Sequence, residues 1–189
     1  MTYADDEHFQ GVRFDAANPV PRRNEGCTFE DCDFTGVDLR GVRFVACRFI
    51  GCDLSNCGVV DAGFQEVELH RCKALGLRWD TCNAFLFSVH GTESQLDYGC
   101  WVGVDLSRSQ FQGGSMREAD FTEVHADGLV MSQVDVTGAR WERCMLRGAS
   151  FADMRGWAMD LRENDVRGMR VDRAALPGLV ASWGMELTD

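Results

Sequence analysis

Nine cysteines and four histidines are the residues of this 189-residue chain with the widest chemical repertoire. Cys32, Cys52 and Cys72 lie twenty apart. A chain that returned on itself every twenty residues would stack their thiols in one column, where they could hold a metal or exchange electrons. The spacing argues against that chemistry, because no Cys-x-x-Cys pair occurs anywhere in the sequence. Cys27, Cys32, Cys47, Cys52, Cys57, Cys72, Cys82 and Cys144 instead share one place in a five-residue pattern, alternating there with Ala and Val. At such a place a free cysteine serves as a small buried hydrophobe. Cys100 falls outside that phase and is expected nearer the surface. So many unpaired thiols point to a reduced, cytoplasmic setting. His8, His70, His90 and His125 occupy outward or loop positions whose phases scatter them, which predicts solvated surface rather than a ligand cluster.

The five-residue pattern is the element that positions everything else. From Phe29 a large apolar residue recurs every fifth position through Phe34, Leu39, Phe44, Phe49, Leu54, Val59, Phe64, Leu69, Ala74, Trp79, Ala84 and Val89. Two residues before each stands a smaller or second apolar residue, from Cys27 to Phe87. A break is expected at His90–Gln95, after which the period resumes two residues out of phase, from Leu96 through Leu106, Phe111, Phe121, Met131, Trp141, Phe151 and Leu161 to Leu176. Gly156 is the one central position in that second run that is not apolar. A period of five fits neither a helix at 3.6 nor a strand at 2. It fits a backbone that turns a corner every five residues, with two side chains inward and three outward on each side. A hexapeptide acyltransferase-type helix needs a period of six and is excluded. The solvent-facing acids could in principle pair for hydrolytic chemistry. A convex rod offers no cleft for it, and no phosphate loop or nucleophile elbow is present, so the chain is read as no enzyme, with no cofactor and no metal.

Composition agrees with one folded domain. The acidic start MTYADDEHF carries no long apolar stretch, so no signal peptide is expected, and no apolar run is long enough to span a bilayer. The 30 acidic residues outnumber 19 basic ones, giving a net charge of −11 that disfavours nucleic acid and anionic membrane and favours a basic partner.

The stretch CTFEDCDFTGVDLRGVRF resembles the pentapeptide-repeat family, whose consensus is roughly A(D/N)LXX. The resemblance implies an all-β fold, a right-handed quadrilateral β-helix with four pentapeptides per square coil, spanning residues 1–176. Phe9 and Phe14 would start the first coil, and residues 15–26, which contain NPVPRRN, would form a loop before the regular rod. Residues 177–189 would form a separate closing element. There Leu176, Leu179, Val180 and Trp183 follow the spacing of one helix face, and MELTD alternates like a short strand with Met185 and Leu187 on one side. Such an element could simply cap the rod, or it could join two rods end to end.

WAMDLRENDVRGMRV followed by LVASWGMELTD is similar to the C-terminal signature of one branch of the family, which holds the Qnr quinolone-resistance, microcin-immunity and albicidin-resistance proteins. Trp157, Met159, Leu161, Asn164 and Val166 carry the last-coil pattern, and LGLRW at 75–79 is a second shared stretch. Pro177 and Gly178 depart from it. The resemblance implies a homodimer joined through Leu176, Leu179, Val180, Trp183, Met185 and Leu187. It also implies binding to DNA gyrase or topoisomerase IV as a mimic of duplex DNA, and protection of that enzyme from an antibiotic or toxin. The face expected to meet the enzyme is the wall centred on Leu39, Val59, Trp79, Trp101, Phe121, Trp141 and Leu161. It carries eight acids, Asp38, Asp61, Asp80, Asp120, Glu123, Glu142, Asp160 and Glu163, against five bases, a net of −3. The alternative is a pentapeptide-repeat scaffold for another protein partner, without catalysis.

Overall fold

A computed structural model describes residues 2–181 and Gly184. The chain winds as a right-handed square β-helix of about eight turns, closed by one short helix. Its first wall is a four-stranded parallel sheet of β1 (Tyr3–Asp5), β3 (Arg23–Glu25), β5 (Arg43–Val45) and β7 (Gly63–Gln65). Its second is a nine-stranded parallel sheet. It runs from β2 (His8–Gln10) through β4 (Thr28–Glu30), β6 (Arg48–Ile50), β8 (Val67–His70), β9 (Val89–Thr92), β10 (Gln110–Gln112), β11 (Val130–Ser132) and β12 (Ser150–Ala152) to β13 (Arg170–Val171). The third and fourth walls are joined by single parallel bridges, such as Arg13–Asp33–Asp53–Lys73 and Cys100–Asp120–Arg140. Except across one two-residue insertion, partners in the register lie twenty residues apart, so each wall stacks pentapeptides of successive coils.

The corners explain why the period is five. The residue two places after most central side chains adopts a left-handed backbone, as at Asp6, Gly11, Gly26, Asp31, Gly36 and Gly41. Only Gly, and to a lesser degree Asp or Asn, takes that conformation without cost, and Ala46 and Leu86 take it without that advantage. The central side chains fill the interior in columns. Phe29 stacks on Phe9 at 5.0 Å and on Phe49 at 4.8 Å, and Trp79 stacks on Trp101 at 4.7 Å. The thiols stack too. Those of Cys32, Cys52 and Cys72 donate to the carbonyls of Phe9, Phe29 and Phe49, each at 3.3 Å. Burial pushes the thiol of Cys47 up to about 11 and those of Cys57 and Cys144 up to about 12.

Several expectations are corrected. The N-terminal loop is shorter than residues 15–26, because β3 pairs with β1 and β5 and places Asn24, fully buried, at a central position. Asn24 had read as loop because it is polar. Its Nδ2 donates to the carbonyls of Pro21 and Arg43. The break does not lie at His90–Gln95, where β9 pairs regularly with β8 and β10. The two extra residues fall at 82–87, so that Lys73 pairs with Gln95 and Val67 with Val89, twenty-two apart. Ala84 is therefore exposed rather than central, and Cys82 is half-buried. Val89 sits at the smaller inward position, while Gly91 takes the centre between Leu69 and Phe111. A Cβ on Gly91 would lie 2.9 Å from the Phe111 ring, so the ring fills the space of the missing side chain.

The histidines are not scattered. His8, His70 and His90 all face outward from the nine-stranded wall, and only His125 stands on another. At the far end the closing helix, α1 (Leu176–Ala181), holds Pro177 in its first turn. Gly178 lies so close to the Trp157 carbonyl that a Cβ there would collide with it, and Leu179 is buried against the last coil.

Candidate functional site

The fourth wall brings all eight acids onto one side of the rod. Bridges from Asp38 to Gly58 and from Arg78 through Cys100 and Asp120 to Arg140 hold it in one column. Carboxylates occur at every level except that of Trp101. Beneath them lie the rings of Trp79, Trp101, Phe121 and Trp141, with Phe121 and Trp141 stacked at 4.1 Å. The indole N–H groups of Trp79, Trp101 and Trp141 are buried without an acceptor among the described residues, an interior cost that the ring stacking must offset.

Most of these acids are already engaged. Asp80 receives Arg78 through both Nε and Nη2, at 2.8 and 2.6 Å. Glu142 receives Arg140 at 2.6 Å, and Glu123 receives Arg143 at 3.0 Å. Asp160 receives the Arg162 side chain and its backbone N–H, the latter at 2.9 Å. Asp61 receives Asn83 at 2.7 Å and Arg43 at 3.0 Å, across the edge to the first wall. Arg78 holds the Asp80 carboxyl below the usual carboxylate range, and Arg140 does the same for Glu142. Asp38 and Asp120 accept the backbone N–H two residues on, from Arg40 at 3.0 Å and Thr122 at 2.9 Å, and so build the corners themselves. Glu163 makes no ion pair among the described residues.

The wall is thus a ladder of alternating carboxylate and guanidinium, not a bare acidic strip. Sequence reasoning counted the five arginines without pairing them. The signal was present, since Arg78–Asp80, Arg140–Glu142 and Asp160–Arg162 are spaced by two, which puts both members on the outside of one side of the square. Exposed pairs of this kind add little to stability, because water screens them. What the ladder changes is the charge presented to a partner.

Of the residues expected to join two rods, Leu176 is exposed, Val180 half-buried and Leu179 buried within the cap. Trp183, Met185 and Leu187 lie outside the described residues, as does the expected closing strand. Among the described residues no cluster of three or more His, Cys, Asp or Glu is disposed to hold a metal, and no helix is long and apolar enough to cross a membrane.

The square coil, its register of twenty and its inward columns define a β-helix with the pentapeptide-repeat fold. The family model for pentapeptide repeats matches eight copies, at residues 25–57 and 102–140. Among solved structures, a trypsin-treated variant of QnrB1, a plasmid-mediated fluoroquinolone resistance protein, is similar over 98% of this chain and 99% of its own, with TM-score 0.65 and 20% identity. HetL, a pentapeptide-repeat protein involved in heterocyst differentiation regulation in Nostoc sp. strain PCC 7120, aligns over 89% of this chain and 86% of its own, with TM-score 0.49 and 15% identity. At 20% identity the likeness to the QnrB1 variant is one of fold. Among curated proteins none matches the sequence.

Proposed function

We propose that this protein is a homodimer that binds DNA gyrase or topoisomerase IV through its fourth wall, in place of DNA, and shields the enzyme from an antibiotic or toxin. It acts in the cytoplasm, by shape and charge and without catalysis. The observation that carries the reading is the placement of carboxylates at six of the seven levels of the fourth wall, from Asp38 to Glu163, with only the level of Trp101 lacking one. The C-terminal signature and the QnrB1-like fold support it.

The mimicry is not one of uniform charge. Seven levels at a spacing of about 4.8 Å span about 29 Å, over which B-DNA carries about 17 charges at one per about 1.7 Å. The wall offers eight acids and five arginines. The enzyme therefore meets a patterned surface and reads the free carboxylate oxygens rather than bulk potential. The arginine pairing also favours a second reading, a scaffold for a different protein partner with a mixed-charge surface.

A supercoiling assay with purified gyrase, run with and without a quinolone, albicidin or microcin, separates the two. Inhibition or rescue at micromolar protein supports the first reading, and neither effect leaves only the second. The dimer is tested by Trp183→Asp, which places a charge in an apolar joint. The expected product is a folded monomer that has lost its effect on gyrase. A folded monomer that acts like the parent would remove end-to-end joining from the proposal.

A further inference from the structure

We propose that the cavity beneath the N-terminal loop binds a short apolar zwitterion, of the kind represented by a tripeptide with both ends free. The first coil lacks its fourth side. In its place the chain loops out between Asp15 and Arg22 before β3 resumes the square, and a cavity of about 730 Å³ remains between the loop and the next coil. That volume lies within the usual range for small-molecule sites. Phe14, Val20, Val37 and Val42 provide an apolar lining.

The missing side leaves polar groups without their usual partners. One coil on, the Gly58 amide donates to the Val37 carbonyl at 2.9 Å, whereas the equivalent amide of Asp38 finds no carbonyl among the described residues. The Arg40 guanidinium makes no ion pair among the described residues. Arg22 uses one nitrogen on the Arg40 carbonyl, at 2.6 Å, and keeps the rest of its fork. A planar fork with an adjacent open amide is a carboxylate receptor.

The acids of the rim define the other end of the ligand. Asp15 uses one oxygen on the amides of Ala17 and Asn18, at 2.8 and 2.9 Å, and these bonds hold its carboxyl below the usual range and therefore charged. Asp38 likewise spends one oxygen on the Arg40 amide. Each keeps a second oxygen for an ammonium group. With Arg13 set against Asp33 at 3.8 Å, the remaining rim charges, Arg22 and Arg40 against Asp15 and Asp38, balance. A simple anion or a simple cation would meet as much repulsion as attraction, while a zwitterion satisfies both signs. The loop is held open by its own turn and by Pro19 and Pro21, so little order has to be gained on binding.

The test uses the full chain and Val-Ile-Leu as probe, beside its C-terminal amide and its N-acetyl form, by calorimetry and amide chemical shifts. Binding is read on the free protein, so its outcome is separate from that of the gyrase assay. The free tripeptide is expected to bind saturably, with shifts confined to residues 13–22 and 35–42, and either blocked form to bind about tenfold more weakly. Arg40→Gln, an exposed substitution, is expected to cost the free tripeptide about tenfold while leaving the amide unaffected. The absence of saturable binding at millimolar peptide would overturn the proposal. So would equal affinity for the three forms, or an Arg40→Gln variant with unchanged discrimination.

Discussion

Removing the Phe121 ring is the sharpest probe of the interior. The side chain is fully buried, lies 4.1 Å from the Trp141 ring and 6.2 Å from Trp101, and has no exposed edge through which the coils could relax. Truncating a buried Phe to Ala costs about 3–5 kcal/mol. The lost stacking with two indoles places Phe121→Ala in the upper half of that range, since each aromatic pair adds about 0.5–1.5 kcal/mol. In a chain of this size each kcal/mol moves the melting temperature by about 2–4 °C, so a drop of about 10–20 °C is expected. The neighbouring Asp120→Ala is the control. Asp120 points outward but accepts the N–H and hydroxyl of Thr122, at 2.9 and 2.6 Å, so its loss costs about 1 kcal/mol rather than nothing. Thermal melts followed by circular dichroism and tryptophan fluorescence compare the two. Equal shifts would refute the register of the fourth wall and with it the column of acids proposed to face the partner.

Four further outcomes follow from the same physics. In the native protein near pH 8 a small thiol reagent is expected to spare Cys47, Cys57 and Cys144, whose raised values leave little thiolate, and to label them on denaturation; rapid labelling of the folded chain would contradict their burial. Because these thiols keep their protons in the folded chain while the unfolded chain loses them near 8.5, stability is expected to fall as pH rises from about 8.5 towards 12, and a flat alkaline profile would count against it. Ala46→Gly relieves a left-handed alanine and is expected to raise stability by about 0.5–1 kcal/mol, whereas Gly114→Ala, whose new Cβ would collide with the Ser94 carbonyl, is expected to prevent regular coiling there. At the acid end, burial alone would raise the Asp97 carboxyl, but Arg117 and Ser115 overcome it and hold it below the usual range. Stability from this group is therefore complete above about pH 4 and lost below it. Asp97→Asn is expected to flatten that acid limb, and an unchanged limb would remove Asp97 as its source.

The rod was legible because its interior is written at fixed intervals. Phe29, Phe49 and Leu69 each announce one wall of one coil, and nothing but a five-residue corner satisfies them. The break was misplaced because Ala84, Phe87 and Val89 continue the old phase by coincidence, while Gly91, the first centre of the new phase, has no side chain to declare it. Asn24 escaped notice for the opposite reason, a polar residue at a core position. For the face proposed to meet a partner, placement on one wall could be worked out from residue numbers, but charge could not. Whether Asp80 stands free or clasped by Arg78 depends on side-chain geometry that a count of signs does not contain.

The displaced segment at 82–87 shows how such a rod tolerates change. Asn83 donates to Asp61, Gln65 donates to the Phe85 carbonyl, and Phe85 and Leu86 project outward, yet the bridges on either side rejoin wall for wall. Extra residues at a corner are expelled without rotating anything downstream, because each coil is fixed by the one beneath it and not by its distance along the chain. A peptide epitope, fluorophore site or affinity handle spliced between Phe85 and Leu86, both exposed, would therefore leave every residue from Val89 onward with its compass direction unchanged.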